Sequence, residues 1–333
     1  MVEDKKYKAK HFSTNSDDTP LFVQLCGNDP EYVLGAAQLV QTECNAVDIN
    51  LGCPQAIAKK GNYGSYLLEK PEIICAVVKK LHSDLNIPVT CKIRCLPDLK
   101  DTLDLVSKIV DSGCSLLTVH GRTKEQNKER VGKCNWDAIK AIKEMVKIPV
   151  FANGGIYNHQ DVLDCMEYTG VDGVMSSESL LENPALFSGE IHDLDKLAFE
   201  YLDLWKEWDF TNLGCLKAHM FKMLHSGLSQ HKDLRNSLGQ AKVYQNYRDV
   251  VTSIGELRKN DSLQSKFGWY ERYWHNCYVG DDMDTRTLRE AKKLEAKEST
   301  WVAKEEQLIR KKSVQEDGLA DDLAGKKLKV DGE

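Results

Sequence analysis

The chain has 333 residues, 41% of them hydrophobic, and a formal net charge of −6. This allows one large domain and a smaller second one around a packed core, and it does not advertise nucleic-acid binding. No apolar run approaches a membrane span and Met1 is followed by acidic residues and lysines, so neither a membrane partner nor a secretory leader is expected.

Residues 1–20 are polar and lysine-rich, and a poorly ordered lead-in is expected there. From residue 21 a rhythm begins of short apolar strand, turn residues and amphipathic helix. Strands are predicted at 21–26, 46–51, 89–93, 116–120, 149–152 and 173–176. Their apolar residues sit on nearly consecutive positions, as in strands buried on both faces. The spacing between them predicts five helices. Asp29 can cap the first, with Pro30 in its first turn and Val33, Ala37 and Val40 on one face. Pro71 opens the second, striped by Ile73, Ile74, Val77, Val78 and Leu81. The others carry Leu103, Val106, Ile109 and Val110; then Trp136, Ile139, Ile142 and Val146; then Val162, Leu163 and Met166. Strand–helix alternation implies a parallel sheet with right-handed crossovers. Six units are countable, against eight in a closed barrel of this kind.

After residue 187 the alternation stops. Residues 194–259 are helical in pattern, with Leu197, Tyr201, Leu204 and Trp208, then Leu216, Met220 and Leu224, then Ala241, Tyr244 and Tyr247 as inner stripes; a helical domain over 194–280 is expected. Residues 260–280 hold an aromatic cluster that reads as a packing lid, and residues 281–333 a charged tail, solvated helix or disordered. Residues 196–280 carry 12 basic and 9 acidic side chains and form the basic block of the chain. The eleven cysteines include no CxxC pair, which predicts no metal site and reads as reduced thiols of a cytoplasmic or nuclear protein.

The most informative stretch is Val47-Asp48-Ile49-Asn50-Leu51-Gly52-Cys53-Pro54, continued by Ala58 and Gly64-Ser65. Val47, Ile49 and Leu51 have strand period, and Asn50, Gly52 and Pro54 end the strand, so Cys53 falls just past its carboxyl end. Parallel α/β enzymes keep their chemistry there. Gln24, Lys92, Arg94, His120 and Asn153 stand at the ends of other strands. A lysine buried in a strand needs an anionic neighbour.

Asp-Ile-Asn-Leu-Gly-Cys-Pro with Ala58 and Gly64-Ser65 at this spacing resembles the signature of the tRNA-dihydrouridine synthases. Cys-Pro-Gln and the Ala-Lys-Lys-Gly loop resemble the branch that acts on positions 16 and 17 of tRNA. The resemblance implies a TIM (β/α)8-type barrel over residues 21–193 that lacks its first two strands, with a helical tRNA-recognition domain after it. It implies FMN as cofactor, NADPH or NADH as reductant, tRNA as partner, and Cys53 as proton donor to C5 of uridine. Gln24, Lys92 and His120 become flavin-binding positions, and Asn153, Gly154, Gly155 and Ser177 a phosphate cup. Glu178, where the broader family has arginine, is expected to turn away from that phosphate. Arg94, Lys217, Lys222, Lys232 and Arg235 are the candidate substrate-binding cations. Open barrel edges predict self-association or a marginal fold. Two other readings remain: a dihydroorotate-dehydrogenase-like flavoprotein, and a catalytically impaired form that binds RNA or a protein.

Overall fold

The computed structural model describes residues 1–127, 131–190, 192–208 and 213–259, and these fall within one unit of the chain. The aromatic cluster expected at 260–280 and the charged tail at 281–333 lie outside the described residues.

Six parallel strands form one sheet: β1 (Phe22–Leu25), β2 (Ala46–Leu51), β3 (Val89–Arg94), β4 (Leu116–His120), β5 (Val150–Asn153) and β6 (Gly173–Met175). They lie side by side in chain order, with β1 at one end and β6 at the other. Each connection carries helix. α2 (Pro30–Gln38) starts on Asp29, whose carboxylate accepts from Glu31 and Tyr32 N–H. Between β2 and β3 come α3 (Ala56–Gly61), a 3₁₀ turn and α4 (Pro71–Asp84). α5 (Leu99–Asp111), α6 (Trp136–Met145) and α7 (His159–Thr169) are capped by Asp98, Asn135 and Asn158. A short α8 (Glu178–Glu182) follows β6.

The central strands are buried on both faces, as the sequence suggested, but only one of those faces is apolar. Val47, Ile49, Leu51, Cys91, Ile93, Leu117 and Val119 pack into one core with Val77, Leu81, Val106, Ile109, Ile139 and Ile142 of the helices. Their alternate neighbours Asp48, Asn50, Thr90, Lys92, Thr118 and His120 are polar. Strand side chains alternate in direction, so the sheet has an apolar helix-covered face and a polar one. Burying each of the large apolar side chains contributes about 1.5–3 kcal/mol, enough to anchor the strands that hold the polar face.

Residues 1–12 are more ordered than a lead-in. α1 (Lys5–His11) is capped by Asp4, Tyr32 donates its hydroxyl to Glu3, and Met1 and Phe12 pack against the main core. The α7 stripe also differs: Val162 and Cys165 are buried, whereas Leu163 and Met166 are exposed.

Beyond residue 193 come α9 (Leu194–Glu207), α10 (Leu213–Met223), α11 (His225–Gln230), α12 (Lys232–Gln240) and α13 (Tyr244–Lys259). They bury a second cluster that includes Ala198, Leu202, Leu216, Met220, Leu224, Tyr247, Val251 and Ile254. On α9 the inner face is Ala198 and Leu202, while Leu204 and Trp208 stand exposed. Asp195, at the start of α9, is gripped by Arg258 through two bonds of 2.7 and 3.2 Å. Among the described residues no helix is long and apolar enough to cross a membrane.

Candidate active site at the carboxyl ends of the strands

The polar sheet face ends in a cavity of about 710 Å³. Gln24, Cys53, Lys92, Arg94, His120, Asn153, Gly154, Gly155 and Ser177, all predicted from the sequence, line it. They come from every strand because parallel strands all deliver their carboxyl ends to one side.

A chain of hydrogen bonds fixes the Cys53 side. Gln24 Nε2 donates to Asp48 at 2.7 Å, and Thr90 donates to the other Asp48 oxygen at 2.7 Å. Gln24 Oε1 in turn accepts from Asn50 Nδ2 at 2.8 Å, and Asn50 Oδ1 accepts from the Gly52 and Cys53 N–H groups. The orientation of both amides is thereby set, and the turn carrying Cys53 is held by a strand-end side chain. From the far side Ser65 donates to Cys53 O through both N–H and hydroxyl. Gly64 makes this approach with φ +65°; a Cβ there would meet Cys53 O at 2.7 Å.

Lys92 donates to Asn153 Oδ1 at 2.8 Å, and Asn153 Nδ2 donates to Met175 O at 2.8 Å. Burial, reinforced by Arg94 and partly opposed by Asp48, lowers Lys92 to about 8. Asp48 is itself pushed up by burial, against its two hydrogen bonds and Lys92. Arg94 ties the Cys53 loop to the next ones, donating to Gly52 O at 2.9 Å, Thr123 O at 2.8 Å and Gln126 O at 3.2 Å. His120 is driven down to about 2 by burial first and then by Arg94, Lys92 and Arg122. It is therefore neutral, with Nε2 accepting from Arg122 Nη1 at 3.2 Å and the proton on Nδ1. The arrangement is a cationic pocket with a neutral histidine and a thiol at its mouth.

Opposite lies the strand-end loop of β5. Gly154 and Gly155 take φ +95° and +78°, which turns backbone amides in a way L side chains resist. Ser176 and Ser179 donate to Ile156 O and so bind the β6 loop to it. Glu178 lines the same cavity and pairs with Lys222 of α10 at 3.1 Å.

Sequence reasoning missed Asp48 and Asn50 as site residues, and Arg122 and Tyr157 with them. Arg122 is buried, donates to Gly132 O at 3.0 Å and to the Tyr157 hydroxyl at 3.2 Å, and holds His120. The alternation Asp48–Asn50 beside Thr90–Lys92–Arg94 was the available signal. A larger cavity of about 1350 Å³ opens past Arg122 and Tyr157 toward Trp136 and Tyr168, away from Cys53 and Lys92.

The candidate substrate cations do not form one face. Lys217 donates to Gly239 O at 2.8 Å and Lys222 is on Glu178, whereas Lys232 and Arg235 project from α12 into solvent.

A sequence profile described as dihydrouridine synthase matches residues 1–266. A Mus musculus protein named tRNA-dihydrouridine(16/17) synthase NAD(P)(+)-like is 44% identical over 265 residues, covering 79% of this chain and 55% of that protein. The Schizosaccharomyces pombe tRNA-dihydrouridine(16/17) synthase is 41% identical over 272 residues, covering 77% of this chain and 68% of that one. A Homo sapiens tRNA-dihydrouridine(20a/20b) synthase-like protein is 37% identical over 251 residues, with 74% and 78% covered. The chain thus spans little more than half the length of the mouse protein.

Proposed function

Because the chain belongs to the dihydrouridine synthase family, we propose that the strand-end cavity reduces uridine in tRNA to 5,6-dihydrouridine. FMN is the resident cofactor in this reading, NADH or NADPH the reductant, and a D-loop uridine at position 16 or 17 the target. The observation that carries it is Cys53 sharing one cavity with the cationic Lys92–Arg94 pair and the neutral His120.

The residues present suit FMN. The cavity of about 710 Å³ lies within the usual range for a bound small molecule. Half-buried Lys92, brought down to about 8 by burial and Arg94 in spite of Asp48, fits the electron-rich pyrimidine edge of the ring. The Gly154–Gly155 amides and the Ser177 region fit its phosphate. Bound there, FMN would supply a hydride to C6 of the uracil.

The chain's own part is proton delivery and placement. The Cys53 thiol gives its proton to C5, so that one hydride and one proton saturate the C5–C6 bond and solvent returns a proton to the sulfur. Arg94, bonded to Gly52 O, keeps a positive charge beside the thiolate that forms. Asn50 fixes the turn from which Cys53 reaches the ring. His120 stays neutral, so that Nε2 accepts from Arg122 while Nδ1–H is left as a donor; an imidazolium would meet the guanidinium donor to donor.

In the same reading the six strands correspond to strands three to eight of an eight-stranded barrel, and residues 194–280 contact the tRNA body. Lys232 and Arg235 are its free cations toward phosphate among the candidates. The test is dihydrouridine formation on tRNA lacking the modification, with purified chain, FMN and NADPH or NADH. RNA-dependent turnover is expected; oxidation of nicotinamide driven equally by free pyrimidines would overturn the tRNA assignment.

A further inference from the structure

We infer that Lys222, from the helical part of the chain, is a positioning residue for the flavin phosphate, acting through Glu178. The inference rests on the functional reading above and deepens it. Glu178 occupies the first turn of α8, beside Ser177 and in the wall that also holds Gly154 and Gly155. A carboxylate in that wall opposes any phosphate brought to those amides, since like charges within several ångströms repel. Lys222 Nζ sits 3.1 Å from Glu178 Oε2, and the lysine side chain is 26% exposed against 47% for the glutamate. The ammonium is thus the more buried member of the pair. Its stem leaves α10 next to Met223 and two residues from Met220, both fixed in the second core. The position of the cation is thus set by the helical packing, not by the barrel loop that it serves.

Two consequences follow from the geometry. Lys222 offsets Glu178, the one acidic side chain among the described residues that line the cavity, so the site tolerates a dianion there. Lys222 also ties the β6 loop to α10, so folding of the helical part and phosphate binding are linked. A cation placed on this glutamate is not available to the tRNA backbone at the same time, which separates Lys222 from Lys232 and Arg235.

Riboflavin and FMN differ by the phosphate alone, so their affinities for the same protein isolate its contribution. Titrations of both flavins, followed by fluorescence quenching, are made on the unaltered chain, Lys222→Ala, Glu178→Gln and the double variant. Lys222→Ala is expected to weaken FMN about tenfold and leave riboflavin within twofold of the unaltered chain. Adding Glu178→Gln to it is expected to restore FMN, a rescue that mere loss of packing would not give. If Lys222→Ala lowers both flavins equally, or changes neither while weakening tRNA, the inference is overturned and the functional reading stands. No saturable binding of either flavin by the unaltered chain overturns both.

Discussion

Lys92 on β3 reaches across β4 to donate to Asn153 on β5 at 2.8 Å, joining two strands that are not neighbours in the sheet. The bond fixes the lysine over the polar sheet face and fixes the side-chain amide at the head of the Gly154–Gly155 loop. One end of the cavity is therefore mechanically connected to the other. Burial holds the Lys92 proton only to about pH 8, which makes the ammonium responsive to an incoming anion.

That responsiveness is measurable. An anion beside Lys92 raises its pKa, so binding reduced flavin at pH 8.5 is accompanied by proton uptake. Calorimetry in two buffers of different ionisation enthalpy reads the uptake directly, and Lys92→Gln should abolish it. Equal heats in both buffers for the unaltered chain would place the anion elsewhere.

Cys53→Ala should remove uridine reduction while flavin affinity stays within twofold, because the thiol supplies a proton and, among the described residues, no hydrogen bond in the cavity wall depends on it. Single-turnover oxidation of reduced flavin by tRNA is the appropriate measurement. Wild-type rates from Cys53→Ala would sink the proton-donor role.

Gly64→Ala tests the support of the Cys53 turn. The residue must keep φ +65° and its Cβ would meet Cys53 O at 2.7 Å. A loss of about 2 kcal/mol in unfolding free energy is expected, with a fall in turnover larger than the loss in flavin affinity. Urea unfolding beside steady-state kinetics separates the two effects.

His120 gives a stability signature with a definite sign. Its folded pKa of about 2 lies below the unfolded value of 6.5, so the unfolded chain takes up a proton that the native one refuses. Its contribution is complete above pH 6.5 and is lost as pH falls, by roughly 2 kcal/mol at pH 5. The drop in unfolding free energy between pH 7.5 and 5 should be smaller in His120→Asn by that amount. An identical pH profile would mean that His120 protonates in the native state.

For tRNA, Lys232→Gln with Arg235→Gln should flatten the salt dependence of binding by about 0.7–0.9 in log–log slope for each phosphate contact removed. Lys217→Gln should not, because its ammonium is already donated to Gly239 O. A slope unchanged in the double variant would make α12 a merely solvated surface.

The local signals alone placed β2 and β4 to the residue, because Val47–Ile49–Leu51 and Leu117–Val119 are bounded by turn residues on each side. They also put Cys53, Lys92, His120 and Asn153 at strand ends, and parallel pairing then brings those ends together without further information. The sequence could not say which cations of the helical part are free: Lys217, Lys222, Lys232 and Arg235 have the same chemistry, and only packing sets the first two against Gly239 O and Glu178. Nor could a one-dimensional pattern tell that Leu204 and Trp208 face solvent while Ala198 and Leu202 are buried, since the inner face of a helix depends on its neighbours' positions. Periodicity and turn chemistry are local and were readable from the chain. The partners of Asp48 and Glu178, and Tyr157 against Arg122, are distant in sequence, and it took the folded sheet and helices to decide them.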